Sequence, residues 1–150
     1  MQWIKDTVTG LIETYGTRDI YELIDMLDIE VVKKDFQGNQ KASFFRDIFQ
    51  NEFIYLSSSL NKLEERFVLA HELGHAILHD YLTNEVYYST FINKDKLEHQ
   101  ADCFAAELII NESDIDKPLL RDMSLDQLSC YFGVPEGLLE YRFEKQLVNV

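Results

Sequence analysis

The chain has 150 residues, of which 46% are hydrophobic and 27% charged, the makeup of one soluble globular domain and not of a disordered or collagen-like chain. Its 14 Lys and Arg stand against 27 Asp and Glu, giving a formal charge of −13, so a phosphate backbone would be repelled over most of the surface and no nucleic-acid partner is expected. The N-terminal stretch carries Asp6 and no long apolar core, and no run of roughly 18 apolar residues occurs, which argues against an export signal and a membrane span. Cys103 and Cys130 lack CxxC spacing and fall in apolar, helix-like surroundings, which fits reduced, buried thiols and a cytoplasmic protein.

Trp3, Val8, Leu11, Ile12 and Tyr15 recur at near-helical spacing, and Asp19, followed by Glu22, can cap a second short helix through Ile20, Leu23, Ile24 and Leu27. Residues 29–36 are β-branched and partly alternating. After the Gly38-Asn39 turn, 42–48 and 52–57 are rich in Phe, Ile and Tyr, so the pattern predicts three antiparallel strands with the last two in a hairpin. Asn61 and Glu64 have capping-box spacing ahead of a helix over 62–79, whose apolar residues occur on most sides and predict a central, protein-wrapped element. A connection over 80–94 leads to a further helix over 96–110. Beyond Pro118, Ser124 with Gln127 caps a short helix ending near Gly133, and Pro135 suits the first turn of a last one. Helix, glycine turn, helix is a helix-turn-helix outline. It carries Lys117, Arg121, Arg142 and Lys145 against Asp122, Asp126, Glu136, Glu140 and Glu144, so it lacks the basic footprint of a DNA reader and is expected to complete the core. Residues 1–115 are therefore assigned to the main domain, and 116–150 to a dependent helical segment packed on it.

The chemistry concentrates in His71-Glu72-Leu73-Gly74-His75. Residues four apart on a helix lie about 40° apart around the axis and about 6 Å along it, so His71 and His75 can offer nitrogens to one metal ion. Glu72, about 100° round the axis, is placed to reach a water on that ion and act as its base. This is the HExxH pattern, whose usual use is zinc-dependent peptide hydrolysis. Two hydrogen-bonded core histidines would be the bland alternative, but burying them with a glutamate on one apolar helix without a common partner costs several kcal/mol.

A catalytic zinc needs a third protein ligand, and Glu98 on the following helix is the candidate; Asp102, four residues on, lies on the same face and could orient a ligand histidine. The competing role for Glu98 is a capping box with Asp95. His79 lies about 12 Å along the helix from His71 and is expected to cap the helix C-terminus. His99 and Cys103 point to other faces, and packing is their expected role. Leu78 and Tyr81 exclude the metzincin extension. Tyr87 or Tyr88 could supply a second oxyanion donor, and an exposed sheet edge could hold an extended substrate.

RFVLAHELGHAILH (66–79), LEHQADCFAAELI (97–109) and SLDQLSCYFGVPEGLLEYRF (124–143) together resemble the ImmA/IrrE metallo-endopeptidases of bacteria, phages and integrative elements, with Asn111 where many members carry proline. The resemblance implies an α+β, minigluzincin-like fold, with a small three-stranded antiparallel sheet packed on a central zinc-binding helix. It implies Zn2+, or another divalent metal, on His71, His75 and Glu98, with Glu72 as the catalytic glutamate. It also implies a protein substrate, a helix-turn-helix repressor whose cleavage derepresses a prophage or mobile element. The rival from another class is a non-proteolytic antirepressor or antitoxin-like protein with a structural metal; Glu72 argues against it, because a structural site has no use for a carboxylate beside an open position.

Overall fold

The helices start at the caps that the side chains provide. In the computed structural model, which describes residues 1–82 and 92–147, α1 (Gln2–Tyr15) ends at Gly16, whose φ of 72° closes the last turn. Ile4 and Val8 are its buried contacts, while Trp3, expected on the inward stripe, is 47% exposed. The Asp19 side chain accepts the N–H groups of Tyr21 and Glu22 to open α2 (Ile20–Met26).

Three strands follow, β1 (Ile29–Lys34), β2 (Ala42–Arg46) and β3 (Glu52–Ser57), in the spatial order β1-β3-β2. The β2–β3 hairpin is antiparallel as expected, with Phe44 opposite Ile54. The expectation for β1 needs correcting: it runs parallel to β3, Ile29 opposite Glu52 and Lys34 opposite Ser57, so the sheet is mixed. Alternation of apolar residues sets which face of a strand is buried but carries no information on its direction. Segment 35–41 crosses from one sheet edge to the other instead of making a tight hairpin.

β2 is an edge strand among the described residues. The Lys41 carbonyl accepts from Ser57 N–H, and Asp47 N–H donates to the Asn51 carbonyl. In an antiparallel ladder this alternation turns the backbone groups of Ala42, Phe44 and Arg46 away from β3, toward the open edge.

Helix α3 (Lys62–Leu78) opens with the expected capping box of Asn61 and Glu64, and its buried residues run from Glu65 to Leu78 around most of its circumference. Helix α4 (Lys94–Ile109) starts earlier than the sequence suggested, because the Asn93 side chain accepts the Lys96 N–H. Asp95 thus lies inside the helix, which removes the competing capping role for Glu98. A 3-10 turn (Glu112–Asp114), α5 (Lys117–Asp122), α6 (Leu125–Phe132) and α7 (Glu136–Leu147) complete the order. Ser124 and Gln127 form the second capping box, and Gly133 at φ 67° ends α6 with its Cα against Leu63.

The main core joins α1, α2, the sheet, α3 and α4 through Ile4, Leu23, Ile54, Leu56, Leu69, Leu73 and Phe104, all at most 1% exposed. A second cluster packs Ala106 of α4 and Ile110 just past its end against Leu128, Phe132, Leu139 and Phe143, with Phe67 and Ile109 touching both. The helix-turn-helix outline therefore spends its apolar faces on α4. Arg142 adds an ion pair to the buried Glu107 at 3.2 Å and another to Glu112, and Arg66 donates to the Phe132 carbonyl at 2.7 Å. Of the two thiols, Cys103 is buried as expected, whereas Cys130 is exposed.

Because these links make α6 and α7 continuous with α4, Leu139→Ala, at a site with 0% exposure, is expected to lower the stability of the whole chain by about 2–5 kcal/mol. Denaturant unfolding followed by fluorescence and by circular dichroism checks this. Two separated transitions in the variant would mark the C-terminal helices as an independent unit.

Candidate metal centre

The site depends on how closely α3 and α4 approach. A Cβ built on Gly74 would stand 3.1 Å from Ala101 Cα, 3.2 Å from its carbonyl oxygen and 3.2 Å from Phe104 Cβ. Only a residue without a side chain lets the two backbones meet there. Glu98 precedes Ala101 by almost one turn of α4, so this contact carries its carboxylate over the imidazoles of α3.

His71 and His75 turn their Nε2 atoms toward each other at 3.1 Å. Glu98 sets Oε2 at 3.2 Å from His71 Nε2 and Oε1 at 3.3 Å from His75 Nε2. Ligand atoms about 2.0–2.1 Å from a tetrahedral zinc ion are separated by about 3.3 Å, the size of the spacings seen here, with one Glu98 oxygen facing each histidine. Two imidazole nitrogens and a carboxylate converging in this way repel one another unless a proton or a metal cation lies between them. The donor set therefore fits one divalent metal ion. The histidine side chains are 16% and 11% exposed and that of Glu98 45%, so Glu98 forms the solvent side of the site.

Asp102 reaches His71 Nδ1 at 2.8 Å, as its place one turn after Glu98 suggested. It accepts the Nδ1 proton and leaves Nε2 to face the metal position. Burial opposes charge on His71, but the bonds to Asp102 and Glu98 outweigh it, and without a metal the ring is pushed up to about 10.

Glu72 is only 8% exposed. Burial raises its pKa, while the neighbouring His71 and His75 and a hydrogen bond from the Phe44 backbone N–H pull it back down. That N–H belongs to the outward edge of β2. The carboxylate is thus pinned between the metal-facing side of α3 and the open strand edge, and its basicity is moved toward the range a proton carrier needs.

His79 is the C-cap of α3, as expected, but its ring folds inward to 5% exposure, with Nδ1 3.0 Å from His75 Nδ1 and Nε2 3.0 Å from Gln100 Oε1. Its distance from His71 excludes it as a ligand but left its contact with His75, one turn away, unread; the four-residue spacing was the available signal. The role of the Phe44 N–H had no sequence signal, since a backbone donor is set by strand placement alone. His99 stacks edge-on to Tyr141 and approaches Cys103, whose thiol burial pushes up to about 11. Both stay outside the site. Tyr87 and Tyr88 lie outside the described residues.

The model of peptidase family M78, described as the IrrE N-terminal-like domain, matches residues 24–144. The chain is similar to the metallopeptidase ImmA of Bacillus subtilis, 35% identical over 146 residues that cover 95% of this chain and 85% of that protein. It is also similar to the uncharacterised immunity region protein 2 of Bacillus phage phi105, 32% identical over 147 residues, 97% of this chain and 92% of that one. Among solved structures, a Mycobacterium tuberculosis transcriptional regulator shares the fold, with a TM-score of 0.66 at 14% identity over 95% of this chain and 46% of that chain.

Two measurements test the construction of the centre. Gly74→Ala gains about 1 kcal/mol of helix propensity but overpacks the α3–α4 contact at a cost of about 1–3 kcal/mol. A lower melting temperature and weaker zinc retention against a chelator are expected; zinc affinity equal to that of the parent would show that the close approach is not needed. For metal-stripped protein, the raised pKa of His71 contributes stability that is full below about pH 6.5 and is lost as the pH climbs through about 10. Zinc must displace that proton, so calorimetry near pH 8 in buffers of different ionisation enthalpy is expected to register proton release.

Proposed function

Because the chain belongs to peptidase family M78, the IrrE N-terminal-like family, and is a metallopeptidase, we propose that it is a zinc endopeptidase of the HExxH…E type that cleaves a helix-turn-helix repressor. The observation that carries this reading is the convergence of His71, His75 and Glu98 at 3.1–3.3 Å beside a buried Glu72. A bound zinc ion would supply Lewis acidity toward a water and the peptide carbonyl.

The remaining steps fall to the chain's own residues. Glu72, one residue along α3 from His71, takes a proton from the attacking water and delivers it to the leaving amine. Burial keeps it basic enough for the first transfer, and the Phe44 N–H holds the carboxylate in one orientation between the two. Asp102 keeps His71 in the tautomer that presents Nε2. The outward backbone groups of Ala42 and Arg46, with the Phe44 carbonyl, form the edge along which an extended substrate segment can add as a further strand, with its scissile bond led past Glu72. Strand addition reads backbone rather than side chains, so it suits a protease that takes a protein segment in extended form.

A repressor as substrate is supported by the immunity-region name of the phage relative and by charge. A protein of formal charge −13 attracts a basic DNA-binding partner at long range, and that attraction weakens with salt. The helical segment after residue 115 acts in this reading as a dependent part packed on the catalytic domain, since Leu128, Phe132 and Phe143 pack on Ala106 of the helix that carries Glu98 and on Ile110 at its end.

The deciding variant is Glu72→Gln, which keeps the size of the side chain and removes its basicity. Zinc content is expected to stay at one ion per chain while cleavage of a helix-turn-helix repressor, followed by mass spectrometry, falls by about 10²–10⁴-fold. Undiminished cleavage would exclude Glu72 as the base. Stoichiometric binding of an intact repressor by both proteins would favour the antirepressor role.

A further inference from the structure

The two imidazoles of the centre are held from behind by different chemistry. Behind His71 stands a carboxylate, Asp102. Behind His75 stands a second histidine, and behind that an amide: His75 Nδ1 to His79 Nδ1 at 3.0 Å, then His79 Nε2 to Gln100 Oε1 at 3.0 Å. His79 is 5% and Gln100 9% exposed. On the reading that His75 is a metal ligand, we infer that His79, held by Gln100, is the positioning residue that fixes His75 in the tautomer whose Nε2 faces the metal.

The argument is a count of protons along the chain of rings. A neutral imidazole has one N–H and one lone pair. If His75 Nε2 is to coordinate, its proton sits on Nδ1 and donates to His79 Nδ1. His79 must then carry its own proton on Nε2 and donate to the Gln100 carbonyl oxygen. With the opposite polarity, the Gln100 amide would donate to His79 Nε2, His79 Nδ1 would donate to His75, and the His75 proton would be forced onto Nε2. It would then point at His71 and Glu98, where the metal must bind. The orientation of one buried amide, 25 residues after the ligand it serves, thus selects between a site that can bind metal and one that cannot.

The chain of rings also accounts for the end of α3. His79 leaves helical geometry at φ −120° and ψ 26°, while its N–H still bonds to the His75 carbonyl at 3.1 Å. A surface cap would have sufficed to end the helix. Turning the ring inward beneath His75 makes sense as support for that ligand. A neutral partner also avoids adding a fourth acid to a centre that already holds Glu72, Glu98 and Asp102.

The test uses the full chain, metal-free and zinc-loaded, with long-range proton–nitrogen NMR of the imidazole rings and zinc affinity from competition with a chromophoric chelator. The expected result is His75 protonated on Nδ1 and His79 on Nε2 in the parent protein. His79→Phe and Gln100→Leu should weaken zinc binding by about ten- to a hundred-fold. His79 protonated on Nδ1 in the parent would overturn the inference, and this readout stands even if the substituted proteins do not fold. Zinc affinity of folded His79→Phe equal to that of the parent would also overturn it while leaving the proposed function intact. A parent protein that takes up no zinc would sink both.

Discussion

The contact between Gly74 and the backbone of Ala101 is the constraint on which the rest of the molecule turns. Helices normally pack about 8–10 Å apart, with side chains between them. At Gly74 there is no side chain, and a Cβ would stand 3.1 Å from a backbone atom of α4. Glu98 and Ala101 lie on one side of α4, while Phe104, at 0% exposure, fills the space one turn further on. The same contact that brings the carboxylate to the imidazoles therefore also closes the main core. Loosening the site and loosening the fold are then one event.

The electrostatic arrangement follows from that geometry. Three acids, Glu72, Glu98 and Asp102, surround two imidazoles that are 16% and 11% exposed, and in the absence of a metal ion a proton on His71 offsets part of that negative charge. A divalent ion held by His71, His75 and Glu98 would replace this proton and satisfy the converging donor atoms. Glu72 is held apart from the ligand set by one residue along the helix and by the Phe44 N–H. In the proposed mechanism it is free to carry a proton because it is engaged by a backbone donor and stands outside the ligand set.

What could be read from the residues was whatever a single helix encodes. His71, Glu72 and His75 are fixed by the four-residue repeat, and the pair Glu98 and Asp102 by its recurrence on α4; the structure brings all of them to one place. Both capping boxes were legible for the same reason, since a cap depends on neighbours three residues away. Features set by tertiary placement were not. The parallel pairing of β1 depends on where segment 35–41 crosses, the start of α4 on Asn93 winning over Asp95, and the exposure of Cys130 on which face of α6 meets α4. His79 lies between these cases: its spacing was visible, but the inward turn of its ring depends on Gln100 from another helix.

The burial of Glu72 carries a cost that the surrounding sequence offsets. An acid whose native pKa is raised above its unfolded value destabilises the native state at neutral pH. A fold selected for stability alone would place an apolar residue there, beneath an edge strand and between two histidines. The apolar surroundings of α3 serve two ends here. Leu69, Leu73 and Ala70, each at most 1% exposed, supply the burial that keeps the helix in place against that penalty. The same exclusion of water is what raises the basicity of Glu72 and strengthens its attraction to the charged centre. The hydrophobic wrapping of the helix is thus part of the site's chemistry, and an HExxH helix placed on the surface would keep its ligands but lose the environment that makes its glutamate useful.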